Sequence, residues 1–179
     1  AMGSAGVEVP LRVLQGSRVL EINVLSLLAG TTAAVAAMRR VGNRGHIVNV
    51  SSVAALRPDS GVYGATKHAV NVITNSLREE LLDDPIQVVS IMPGLVATNI
   101  GRNADPELLA GIVAMSGIDA EIVPGERLPD DVLEAAQGAL ADIMIAPDDV
   151  ADAVLYAVTQ PAHVHIPKIV IRPNKNFDF

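Results

Sequence analysis

The chain has 179 residues, half of them apolar and 18% charged, below the roughly 25% charge usual for soluble domains. That is one domain's worth of material with a sizeable core, and it excludes a disordered chain. The count of 13 basic against 20 acidic residues gives a net charge of −7, so no general attraction to nucleic acid or to an anionic membrane is expected. There is no cysteine, which excludes disulfides, thiolate metal sites and cysteine nucleophiles and suits a cytoplasmic protein.

Ala1-Met2-Gly3-Ser4 reads as the scar of a cleaved tag and is set aside, leaving a single domain over residues 5–179. The first residues lack the basic and apolar regions of a signal peptide. No unbroken run of about 18 apolar residues occurs, so no bilayer span is expected. Residues 11–39 read as a helix, with Leu11, Leu14, Val19, Leu20, Val24, Leu27 and Leu28 at helical spacing and Val41-Gly42-Asn43-Arg44-Gly45 as its stop. His46-Ile47-Val48-Asn49-Val50 is a short β-branched run and reads as a buried strand. After a loop with Pro58 and Gly61, residues 62–82 carry apolar side chains at 62, 65, 69, 73, 77 and 81, the pattern of an amphipathic helix.

Asp83-Asp84-Pro85 stops that helix, and residues 87–92 read as a second buried strand ended by Pro93-Gly94. Strand, helix, strand is a βαβ unit and implies a parallel sheet. Shorter helices are expected near 105–115 and 129–142, then a helix over 148–159 with acidic residues in its first turn, as the helix dipole favours. A last strand covers 166–171. His163 and His165 have no third ligand at convincing spacing, so no metal site is expected.

The chemistry-bearing feature is Tyr63-Gly64-Ala65-Thr66-Lys67. Residues four apart lie on one helix face, so a Lys67 ammonium there is expected to stand beside the Tyr63 phenol and to favour its phenolate form. A phenol so tuned serves as a general acid/base. Alone, the spacing is common on solvated helix faces. Here, however, a strand ending in Asn49-Val50-Ser51-Ser52 precedes it, and the next strand ends in Pro93-Gly94-Leu95-Val96-Ala97-Thr98. Open α/β sheets bind ligands at the carboxyl ends of their strands, and three elements are expected to converge there.

With Ile22-Asn23-Val24 and the stretch from Ala146-Pro147-Asp148 to Ile171-Arg172-Pro173, these motifs resemble, in order and over most of the chain, the short-chain dehydrogenases/reductases. The resemblance implies a Rossmann-like doubly wound parallel sheet in an α/β/α three-layer fold, with only its C-terminal part in this chain. It implies an NAD(P)-dependent oxidoreductase that interconverts a small alcohol and its ketone or aldehyde. Tyr63 would pass a proton to or from the substrate oxygen, and Ser52 would hydrogen-bond that oxygen. Ser51 lies nearer the usual distance from Tyr63 by counting, whereas Ser52 matches the last serine of the motif. Lys67 would hold the nicotinamide ribose, and Asn23 would anchor a water in a proton relay to Lys67. Tyr63, Lys67, Pro93, Gly94, Val96 and Thr98 would line the nicotinamide end of NAD or NADP. The family's pairing of subunits implies a homodimer or homotetramer, with Val70 and Val72 of the helix over 62–82 as a second apolar surface.

The family's Gly-rich pyrophosphate turn is not found before residue 46, nor is the residue that chooses between NAD and NADP. The chain is therefore expected to be N-terminally incomplete and to bind NAD(P) weakly or not at all. A non-catalytic remnant acting as a structural or interaction protein is the alternative to the enzyme. The apolar stretch over 95–145 would form the pocket for the substrate, whose identity is not readable.

Overall fold

A computed structural model describes residues 16–42, 44–99 and 129–175, with isolated positions between 110 and 126. The first helix, α1, runs Gly16–Val41, so residues 11–15 of the expected helix and the expected helix near 105–115, in large part, lie outside the described residues. Within α1, Glu21–Leu25 forms a π turn, and the Ser26 hydroxyl donates to the Ile22 carbonyl across it. Gly42 ends the helix at φ 68°, with its N–H on the Met38 carbonyl at 3.0 Å. This left-handed cap is the conformation that glycine adopts without strain.

By length and composition alone α1 is apolar enough to cross a membrane, with a mean hydropathy of 1.7 over an 18-residue window, as core helices of globular proteins also are. The apolar run is not unbroken, as expected from the sequence, since Ser26, Thr31 and Thr32 interrupt it. Their hydroxyls bond back to the carbonyls of Ile22, Leu27 and Leu28, which hides their polarity within the helix. The half-buried Ala34, Val35 and Met38 nevertheless pack on a core cluster, as in a globular fold.

Strand β1 is Gly45–Val50. Only Ile47 and Asn49 in it are buried, and Val50 is 49% exposed. The strand expected to be buried is thus covered on one face, because successive side chains point to opposite sides. A 3₁₀ turn, Val53–Leu56, leads to helix α2, Gly61–Glu80, and then to β2, Ile86–Pro93, which is buried at every residue but Gln87. Further on come α3, Asp130–Ala139, α4, Pro147–Val158, and β3, Lys168–Ile171. The strand order is β1-β2-β3, all parallel.

Helix α2 has the expected period, but its buried face is rotated from the expected stripe. Thr66, Val70 and Thr74 are buried, whereas Ala65 is exposed and Val62, Ala69, Ile73 and Leu77 are half-buried. Threonines fill the buried row because their hydroxyls are satisfied there. Thr74 Oγ1 donates to the Val70 carbonyl at 2.6 Å and accepts from Asn49 Nδ2 at 3.0 Å. Val70 is 1% exposed, so it belongs to the chain's own interior and not to a second apolar surface. Val72 remains exposed.

The chain divides within β2 into two compact units, Ala1–Val88 and Val89–Phe179. In the first, Ile47, Leu81, Ile86 and Val88 form the core, backed by Ala34, Val35, Met38 and Leu77. The Gly45 N–H bonds to the Pro85 carbonyl at 3.0 Å. Arg39 donates two bonds to Asp84, at 2.9 and 2.6 Å, and these hold the Asp84 carboxyl below the usual carboxylate range. In the second unit, Ser90, Ile91, Met92 and Pro93 of β2 pair in parallel with Lys168, Ile169, Val170 and Ile171. Ala97, Leu140 and Met144 cluster there with Leu95 and Ile143. Asp149, in the first turn of α4, accepts the Ala146 N–H at 2.7 Å, a helix start as the acidic residues imply.

Ile47 reaches the first core from the covered face of β1. Truncation by Ile47→Ala is expected to cost about 3 kcal/mol, read as a lower urea midpoint with an unchanged slope.

Candidate active site

Asn23, Ser52, Tyr63 and Lys67 all lie in the first unit. They come from the π turn of α1, the turn after β1 and the first turns of α2. Tyr63 is 38% exposed, and the Lys67 ammonium lies 5.8 Å from the centre of its ring. That is the one-turn separation of residues four apart on a helix.

Lys67 is gripped by the end of β1. Its Nζ donates to the Val50 carbonyl at 3.1 Å, and its own carbonyl accepts the Ser51 hydroxyl at 3.0 Å. Burial pulls the Lys67 ammonium below the ordinary lysine range, because a low-dielectric surround disfavours the charged form.

The two serines are in different situations. Ser51 is buried and commits its hydroxyl proton to the Lys67 carbonyl. Ser52 is half-buried, and its Oγ accepts the Ala54 N–H at 3.1 Å. A hydroxyl that accepts from the backbone still has its proton to donate.

The turn that carries Ser52 is seated on α2 by Ser60. The Ser60 hydroxyl lies 2.7 Å from the carbonyls of both Ala54 and Arg57. Gly64 makes room for this. A Cβ there would stand 1.6 Å from Ser60 Oγ and 2.9 Å from the Ala54 carbonyl oxygen. The glycine inside the motif is therefore a matter of close approach, not of φ.

Asn23 is anchored by a residue not singled out in the sequence. Its Nδ2 donates to Thr66 Oγ1 at 2.9 Å, and Thr66 Oγ1 donates to the Tyr63 carbonyl at 2.7 Å. Ser51 was weighed against Ser52 in the sequence, whereas Ser60 and Thr66 were not singled out there. For Thr66 a signal existed, since it sits three residues after Tyr63 and so on the same helix face.

Pro93, Gly94, Val96 and Thr98 belong to the second unit. The Gly94 N–H bonds to the Ile171 carbonyl at 2.8 Å, and a Cβ at Gly94 would meet Arg172 Cβ at 2.9 Å. Val96 forms a parallel bridge with Ile145, flanked by Ala97 N–H to Ile145 O and Ile145 N–H to Leu95 O, each 3.0 Å. The Thr98 N–H turns back to the Val96 carbonyl at 2.8 Å. The segment is thus a built loop, tied along its length to the strand and turns beside it.

The sequence model of the short chain dehydrogenase family matches residues 9–108, more than half of the chain. The chain belongs to that family. It is 32% identical over 163 residues to an uncharacterised oxidoreductase of Staphylococcus epidermidis, an overlap of 90% of this chain and 56% of that protein. Among solved structures it is similar to a serine dehydrogenase from Escherichia coli, at 27% identity and a TM-score of 0.55, over 84% of this chain and 50% of the other. It is also similar to the closed form of a serine dehydrogenase complexed with NADP+, at 29% identity and a TM-score of 0.61, over 86% and 54%. The chain spans about half the length of the curated relatives it matches. The α/β fold with a parallel sheet of Rossmann type is common to this chain and these structures.

The depressed Lys67 pKa makes stability depend on pH. Between that value and the ordinary 10.5 the unfolded chain binds more protons than the folded one, so stability rises as pH rises through this window. Lys67→Met is expected to flatten the rise, seen in urea midpoints measured across the alkaline range.

Proposed function

We propose that this chain carries the proton-handling part of an NAD(P)-dependent oxidoreductase that interconverts a small alcohol and its ketone or aldehyde. The observation that carries the reading is the placement of the Lys67 ammonium 5.8 Å from the Tyr63 ring, beside the turn that bears Ser52. Family membership and the NADP+ complex of a similar dehydrogenase support the cofactor class, NAD or NADP.

Tyr63 is the general acid/base. It is exposed enough to meet a substrate oxygen, and its hydroxyl moves the proton to or from that oxygen. Ser52 keeps its hydroxyl proton for the same oxygen and stabilises the charge that develops there. Ser51 is spent on the Lys67 carbonyl, which favours Ser52 for this role. The donor set also fits a ribose, since Lys67 has three N–H donors and uses one on Val50. With Tyr63 it would hold the nicotinamide ribose, while Pro93, Gly94, Val96 and Thr98 would line the nicotinamide. The bound dinucleotide supplies hydride chemistry, and the protein supplies position and electrostatics. Asn23 anchors the relay that resupplies the proton through Lys67.

The reading extends to a cytoplasmic, self-associating enzyme. A groove between α1 and α2, lined by Leu28, Val35, Ile73 and Leu77 with Arg39 and Glu80 among its charged residues, supports a homodimer or homotetramer, as do the exposed Leu28 and Val72. Sedimentation at high concentration is expected to show a dimer or larger, and a monomer would count against it.

Tyr63→Phe removes one hydroxyl and little packing. In an intact version that binds the dinucleotide, alcohol oxidation followed through the absorbance of the reduced nicotinamide is expected to fall by about 10²–10⁴, with the melting temperature unchanged. Tyr156→Phe, at the only other tyrosine, is expected to leave the rate alone. Equal rates for the parent and Tyr63→Phe would take Tyr63 out of the mechanism. Calorimetric titration with NAD and NADP tests the weak binding expected of this chain, and micromolar affinity for either would show that expectation wrong.

A further inference from the structure

We propose that Thr66 is a positioning residue of this site, whose hydroxyl ties the π turn holding Asn23 to the turn of α2 holding Tyr63 and Lys67. The inference rests on the roles given above to those three residues. Thr66 is fully buried, at 0% exposure. Its Oγ1 is 2.9 Å from Asn23 Nδ2 and 2.7 Å from the Tyr63 carbonyl oxygen.

The directions of these two bonds follow from atom inventory. A carbonyl can only accept, so the single Thr66 hydroxyl proton goes to Tyr63. Thr66 Oγ1 then offers lone pairs only, and Asn23 must present its NH₂ group, which fixes the amide's orientation. The Asn23 bond runs between α1 and α2, the Tyr63 bond is a back-bond within α2, and Thr66 is joined to Lys67 by a peptide bond. One buried hydroxyl therefore sets the place of Asn23 relative to the Tyr63–Lys67 turn.

The location of Asn23 adds to this. It sits in the middle of the π turn Glu21–Leu25. Such turns are rare and frequently lie at functional sites. The Asn23–Thr66 bond ties this one to α2. If Thr66 were present for packing alone, its methyl would suffice and valine would serve as well.

The test compares Thr66→Val, which keeps the shape and loses the hydroxyl, with Thr66→Ser, which keeps the hydroxyl and loses the methyl. NMR of the labelled chain reads the Asn23 side-chain amide resonances and the Cα shifts of residues 21–25. Thr66→Val is expected to move both, and Thr66→Ser to leave both near the parent values. If Thr66→Val does not fold, Asn23→Ala breaks the same bond from a half-buried position and is expected to shift the Cα signals of 21–25 alike. In turnover with NAD or NADP and a panel of small secondary alcohols, Thr66→Val is expected to lose about ten-fold or more in kcat. KM should stay within about two-fold, and Thr66→Ser should restore kcat. Unchanged signals in Thr66→Val overturn the proposal, as does a Thr66→Ser protein as altered as Thr66→Val. Lack of turnover in the parent chain accords with its expected weak dinucleotide binding, and the NMR comparison, which needs no catalysis, then decides the proposal.

Discussion

A half-buried ammonium has to be held at both ends of its side chain or it returns to water. Lys67 meets that constraint through two consecutive residues at the end of β1. Val50 receives its Nζ, and Ser51 caps its carbonyl. The first turns of α2 are thereby fixed against the strand end, and Tyr63, one turn earlier, goes with them. Desolvation costs the lysine some of its proton affinity. That cost is repaid by a cation whose position does not wander beside the phenol. The seating of Ser52 depends on the same contact between turn and helix, through Ser60 and the space left by Gly64.

Much of this frame was legible in the sequence because it rests on period and punctuation. The Val/Ile-rich runs around Ile47 and Val88 became strands, and Gly42 and Asp83-Asp84-Pro85 ended helices where turn chemistry says they should. The buried face of α2 was not legible, because hydrophobicity is a poor guide to a row made of Thr66, Val70 and Thr74. Those threonines are buried on account of partners 25 to 43 residues away along the chain, and pattern within a window cannot see such partners. In α1 the apolar residues were legible, while its hydroxyls, which count as polar in a list of residues, are spent on the helix's own carbonyls.

The site was legible to a similar depth. Motif and spacing nominate Tyr63, Lys67 and Ser52 as the proposed catalytic residues, and the two adjacent serines have different hydrogen-bond partners. The residues that hold them in place do not follow. Ser60 looks like an ordinary loop serine and Thr66 like a helix filler until their hydroxyls are seen to bridge separate turns. Positions that carry chemistry have characteristic residue types, whereas positions that support them need only one hydrogen-bond donor or a missing methyl.

The π turn in α1 has a consequence for the lengths this helix tolerates. A turn closed by i to i+5 bonds holds one residue more than an α turn, so the residues before it are out of phase with those after it by about 100°. Gly16 lies on the early side, buried, where even a methyl would come within 2.9 Å of Val62 on α2. Removing any one residue between 21 and 25 would let the helix close into a uniform α spiral and would rotate Gly16 away from Val62. A larger side chain would then swing into a gap that only hydrogen fits. The helix is thus indifferent to many substitutions along its outer face, yet it cannot be shortened by a single residue without losing its grip on its neighbour.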